Sequence, residues 1–156
     1  MSSEIIYPVY IEWRAIVGAI AHAMHGLPHE VIGFLVGRPF VWNGTTYVYI
    51  KAALMGKANA SETHVEFAAD SLADIVQKLR EKYPDEELVG WYHSHPGYGC
   101  FLSPTDLASH VNCFTMPYHV SMVVDPVKGE VAFFRVNSVN DYEQICSAVV
   151  RRRRDG

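Results

Sequence analysis

Short, nearly continuous apolar runs alternate along this chain with stretches whose apolar residues recur at three- and four-residue steps. That alternation restricts the fold to layers of strands and helices. Pro8 opens the first helical pattern, with Val9, Trp13, Ile16, Val17, Ile20 and Met24 on one apolar stripe, and Gly26 and Pro28 stop it. Val31 to Val36 reads as a short strand buried on both faces. Trp42-Asn43-Gly44 carries an Asn-Gly turn, so Tyr47 to Leu54 is the returning strand of a hairpin. Met55 to Thr63 is a loop of small and polar residues, and His64 to Phe67 a short strand. Leu72, Ile75, Val76, Leu79 and Tyr83 mark a second amphipathic helix, ended by Pro84. Leu88 to His95 is a strand and Gly97 to Leu102 a loop. Ser103-Pro104-Thr105-Asp106 is a helix start, with a serine cap, proline at the first helical position and an acid in the first turn. His119 to Val124 and Val131 to Val136 are strands, and a last helix is expected from about Asp141 to the arginines. The class is α/β or α+β around a mixed sheet flanked by helices.

A single domain over residues 1–156 accounts for the whole length, which can bury roughly 70% of the surface of its unfolded chain without a disulfide or a structural metal. The formal charge of −4 makes the surface as a whole no nucleic-acid footprint. Arg151 to Arg154 is the one basic run and reads as a solvated end. Three cysteines without a C-x-x-C favour a reducing compartment over a disulfide framework. No apolar run approaches the ~20 residues of a membrane span and no signal-peptide pattern opens the chain. A cytoplasmic location follows as the expectation.

His93 and His95 stand two apart in a strand, so both side chains face one side and two imidazole nitrogens can meet one ion. Pro96 ends the strand, Gly97 and Gly99 let the chain turn, and Asp106 brings a carboxylate from the first turn of the next helix. Two histidines and a carboxylate, with a fourth position open to water, make a catalytic zinc arrangement. A histidine taken alone is more often structural, and His22, His25, His29, His64, His110 and His119 are read so. H-E-x-x-H is absent, since His29-Glu30-Val31-Ile32 runs into Gly33. The zinc deaminase signature, a G-x-S-x-G elbow and a P-loop are absent as well. Cys100 reads as a partly buried free thiol rather than a nucleophile. On spacing alone the metal and structural readings both stay open.

The run Gly90-Trp91-Tyr92-His93-Ser94-His95-Pro96-Gly97-Tyr98-Gly99-Cys100-Phe101-Leu102-Ser103, followed by Asp106, resembles the motif of the JAMM (MPN+) metalloproteases. It is most similar to the branch holding the deubiquitinating subunit of the proteasome lid and the deneddylating subunit of the signalosome. Pro117-Tyr118, Val123-Val124-Asp125-Pro126 and Phe134-Arg135 extend the likeness. The resemblance implies an MPN (JAB1/cytidine-deaminase-like) fold, one Zn2+ per chain on His93, His95 and Asp106, and a catalytic Glu upstream of an apolar strand, a place that Glu30 fits. It implies that Glu30 moves protons and that Ser103 helps to stabilise an oxyanion; Ser94, between the two histidines on the strand, points to the opposite face. The implied substrates are ubiquitin or ubiquitin-like conjugates, with an extended Gly-Gly tail held as an added strand beside Met55–Thr63. Proteasome or other MPN subunits are implied partners. Two alternatives remain: a non-catalytic scaffold of the same fold, and a metallohydrolase that processes sulfur-carrier protein tails.

Overall fold

The first strand and the first helix share no loop. In the computed structural model, which describes residues 6–57 and 69–151, β1 (Val9–Glu12) runs directly into α1 (Trp13–His25). The helix therefore begins at Trp13 and not at Pro8. Val9, Tyr10 and Ile11 are strand-forming residues, and they pair with Val48 to Ile50 on one side and Ser147 to Val149 on the other. The face that α1 buries is Ala15, Ala19 and Ala23, while Trp13, Val17 and Met24 of the expected stripe are exposed. Small side chains let the helix lie close against a concave surface that longer ones would overfill.

β2 (Ile32–Trp42) and β3 (Thr45–Met55) form the expected hairpin. Asn43 (φ 48°) and Gly44 (φ 76°) both take left-handed backbone, the requirement of a two-residue type I′ turn. β2 is longer than the apolar run implied. Its first six residues are buried, and the remainder projects as an exposed arm. Gly56 and Lys57 follow β3 as a loop, whereas 58–63 and the strand expected at His64 to Phe67 lie outside the described residues. α2 (Ala69–Lys82) covers the second helical pattern and is followed by β4 (Glu87–Ser94), α3 (Pro104–Cys113), β5 (Val120–Asp125) and β6 (Glu130–Ser138).

The helix expected from Asp141 is not formed. β7 (Asp141–Ile145) and β8 (Ser147–Val150) occupy that stretch. Tyr142 packs edge-on against Phe134, and Ile145 pairs with Phe133. Neighbouring strands thus settle a segment whose own pattern is ambiguous.

The strands form one mixed sheet in the order β7-β6-β5-β4-β2-β3-β1-β8. β7 and β8 stand at opposite ends of that order, yet Cys146 alone separates them in sequence. Consecutive Cα atoms are about 3.8 Å apart, so the two edges must approach and the sheet must curl on itself. Its inner face and α1 share a core that includes Val9, Ile11, Ile50, Tyr92, Met122 and Phe133. On the outer face, Ile75 of α2 packs with Phe34 and Trp91, and Leu107 of α3 packs with Val123 and Phe134. β4 and β5 run parallel, connected through α3. They approach so closely at Gly90 that a Cβ there would lie 2.0 Å from the Val120 carbonyl oxygen.

Candidate metal centre

Strand alternation carries Trp91 and His93 to the outer face of β4, and His95 follows just past its carboxyl end, its N–H still bonded to the Val124 carbonyl of β5, where the chain turns towards α3. The start of α3 is fixed by a reciprocal cap. The Ser103 hydroxyl oxygen accepts the Asp106 N–H at 3.1 Å, and Asp106 Oδ2 accepts the Ser103 N–H at 2.9 Å. The cap therefore does more than end a helix: it aims Oδ2 at the two histidines.

Three donor atoms converge. His93 Nε2 lies 3.1 Å from His95 Nε2 and 3.1 Å from Asp106 Oδ2, and His95 Nε2 lies 3.4 Å from Oδ2. Ligand atoms about 2.0–2.1 Å from a tetrahedral zinc ion stand about 3.3 Å apart. The triangle has that size, and the donor set is one that zinc takes, so these residues fit the ion. All three are buried. His95 Nδ1 is 3.0 Å from the Gly99 carbonyl oxygen. That oxygen can only accept, so Nδ1 carries the proton and Nε2 presents a lone pair to the centre. His93 is held differently. The Trp91 ring stacks on it with centroids 4.5 Å apart, and its buried Nδ1 has no hydrogen-bond partner among the described residues. Trp91 in turn donates its Nε1–H to His110 Nδ1 at 2.9 Å. His110 lies one helical turn after Asp106, so α3 supplies one ligand and braces another.

The charges follow from these contacts. Burial opposes ionisation of Asp106, but the adjoining His93 and His95 imidazoles and the hydrogen bond from the Ser103 N–H outweigh it and hold the carboxyl well below its ordinary range. Burial likewise opposes a charged His95, and Asp106, the Gly99 carbonyl and Glu30 together outweigh it and raise the imidazole. Burial raises the Cys100 thiol, which is directed at the Val123 carbonyl oxygen. Cys100 is thus the partly buried free thiol expected from the sequence.

Glu30 comes to the same place from the segment leading into β2, the strand paired with β4. The Ser94 hydroxyl oxygen accepts the Val31 N–H at 2.8 Å, and the Ser94 N–H donates to the Val31 carbonyl at 3.1 Å. Ser94, between the two histidines and turned away from their triangle, therefore ties the Glu30 segment to β4. Glu30 Oε1 stands 3.9 Å from His95 Nε2 and accepts a hydrogen bond from the Tyr98 hydroxyl at 2.5 Å. All five residues singled out in the sequence meet around this centre.

Sequence reasoning missed Asp125. It is completely buried, and its carboxylate accepts the backbone N–H groups of Gly97, Gly99, Val127 and Lys128. Burial alone would raise its pKa, but these donors bring it down to about 2. It pins the loop whose Gly99 carbonyl orients His95. The one signal available was an Asp-Pro pair closing an apolar strand ahead of a turn.

The profile of the JAB family, described as "JAB1/Mov34/MPN/PAD-1 ubiquitin protease", matches residues 5–118. The chain belongs to that family. It is 35% identical over 138 residues to the 26S proteasome regulatory subunit rpn11 of Schizosaccharomyces pombe, a match covering 85% of this chain and 44% of that protein. It is 35% identical over 126 residues to COP9 signalosome complex subunit 5 of Debaryomyces hansenii, covering 78% and 26% respectively. The chain spans less than half the length of these relatives. Among solved structures, protein DSY2949 from Desulfitobacterium hafniense superposes with a TM-score of 0.71 over 94% of both chains at 17% identity, which supports the fold. None of the described helices is long and apolar enough to cross a membrane.

Proposed function

We propose that this chain is a zinc-dependent isopeptidase that cleaves the bond between the C-terminal glycine of ubiquitin or a ubiquitin-like modifier and a substrate lysine. The observation that carries the reading is the buried triangle of His93, His95 and Asp106 with the Glu30 carboxylate beside it. The family's description as a ubiquitin protease supports the substrate class. Relatives named as subunits of the proteasome and the signalosome support action within, or beside, larger assemblies.

His93, His95 and Asp106 would hold the zinc, which when bound would supply Lewis-acid activation of water and of the scissile carbonyl. The remaining work falls to side chains of the protein. Glu30 takes the proton of the attacking water and returns it to the leaving lysine amine. The Ser103 oxygen accepts in the helix cap, which leaves its O–H free to donate to the oxyanion as negative charge develops. His95, its Nδ1–H fixed on Gly99, keeps its lone pair turned to the centre.

Incubation of the purified protein with lysine-linked ubiquitin or ubiquitin-like conjugates, with and without a zinc chelator, tests the proposal. Cleavage after the Gly-Gly terminus, lost with chelator and restored by zinc, is the expected result. Hydrolysis of unrelated unfolded peptides at a comparable kcat/KM would reduce it to a general protease.

A further inference from the structure

The Glu30 carboxylate has a long side chain and few anchors. Its backbone neighbour Val31 is tied to Ser94, but among the described residues the one hydrogen bond to the carboxylate itself comes from Tyr98. Tyr98 reaches it from the loop that follows β4. It lies between Gly97 (φ 88°) and Gly99 (φ 87°), whose left-handed backbone is open to glycine. The N–H groups of both glycines are bound by the buried Asp125 carboxylate, at 2.9 and 2.8 Å. The residue at the tip of this loop is therefore fixed from both flanks. Its ring lies flat against the His95 imidazole, with centroids 4.8 Å apart and planes at 22°. One face of the ring is thus committed to a candidate ligand and the hydroxyl is committed to Glu30.

We propose that Tyr98 is a positioning residue for Glu30, its hydroxyl setting the carboxylate against the metal centre and its place set in turn by Asp125. The inference rests on the isopeptidase reading for its kinetic consequence, but not for its structural one. Glu30 Oε1, the oxygen that accepts from Tyr98, is also the oxygen 3.9 Å from His95 Nε2. Tyr98 thereby selects the carboxylate position from which a proton is exchanged near the three ligands. The general cost of losing such placement is large, because a displacement of about 1 Å in a reacting group can lower the rate on the order of 100-fold. The hydroxyl remains a donor at neutral pH, since burial and the Glu30 carboxylate both raise its pKa.

Tyr98→Phe keeps the ring and its stacking on His95 and removes the hydroxyl alone. The zinc content and KM of the variant should stay at wild-type values while kcat falls on the order of 10- to 100-fold. In a Glu30→Gln background the same change should cost nothing further, because there is no carboxylate left to place. A Tyr98→Phe enzyme with wild-type kcat, or one losing the same factor in both backgrounds, overturns the proposal. A second readout is independent of turnover. In crystals of metal-free protein, the Glu30 side chain should occupy one rotamer in the wild type and several in Tyr98→Phe. One unchanged rotamer in both overturns the proposal, whereas wild-type protein that orders Glu30 but fails to cleave Gly-Gly-lysine bonds removes the isopeptidase reading alone.

Discussion

His110 makes the fold acid-sensitive in a way that one substitution can isolate. Burial, with a smaller contribution from His119, lowers its pKa from 6.5 to about 4. Its Nδ1 must hold a lone pair to accept the Trp91 indole N–H, so the folded state keeps the ring neutral. The unfolded chain takes up this proton near pH 6.5 and the folded chain only near 4. Between those values the unfolded state binds more protons, so stability falls as the pH drops through the window and levels off below it. At about 1.4 kcal/mol per pH unit of separation, the full loss is about 3 kcal/mol. His110→Phe removes the titration but deprives Trp91 of this acceptor, at a cost of about 1–3 kcal/mol. The variant should be less stable than wild type at pH 7.5, and the difference should vanish or reverse near pH 4. Urea unfolding of metal-free protein followed by tryptophan fluorescence at pH 7.5, 5.5 and 4.5 measures it. Parallel stability curves for the two proteins would refute the assignment of a buried neutral His110.

Three further outcomes follow from the same geometry. Ser103→Ala should retain zinc, lose kcat more than substrate affinity, and lose about 1 kcal/mol of stability with the cap, as steady-state kinetics and thermal melts would show. Asp125→Asn turns an acceptor into a donor opposite the Gly99 N–H, so the loop that orients His95 should loosen and zinc affinity should drop about 10- to 100-fold in chelator competition. Gly90→Ala drives a methyl group into the Val120 carbonyl; separating β4 from β5 should destabilise the fold by about 1–3 kcal/mol or more in urea titrations.

The features legible in the sequence are those set by neighbours along the chain. The Asn43-Gly44 turn, the Ser103-Pro104 helix start and the one-sided pair His93 and His95 each depend on backbone rules that act within a few residues, and each is found where the sequence places it. Glu30 needed the family resemblance, because it meets the histidines only after β2 pairs with β4. The features that were misread depend on the rest of the fold. Val9 has a helical spacing to Trp13, but two flanking strands claim it for the sheet. Of the α1 stripe, Ile16 and Ile20 pack at the edge of the core while Trp13, Val17 and Met24 are exposed, because the curled sheet buries the alanine face most deeply. Asp141 to Val150 carries residues compatible with a helix, and pairing with β6 and β1 decides for strands. Asp125 gave little sign of its importance, since the groups it binds include Gly97 and Gly99, which only the parallel pairing of β4 and β5 brings near.

Glu30→Gln offers the most direct test of the central claim, because it separates holding a metal from using it. Zinc per chain and kcat on a lysine-linked ubiquitin-like conjugate should be measured on the same preparations of wild type, Glu30→Gln and Asp106→Ala. The account predicts about one zinc in the wild type and in Glu30→Gln, with the rate of the latter down on the order of 10²–10⁴, and neither zinc nor activity in Asp106→Ala. Full zinc occupancy in Asp106→Ala, or near-normal turnover in Glu30→Gln, would contradict it.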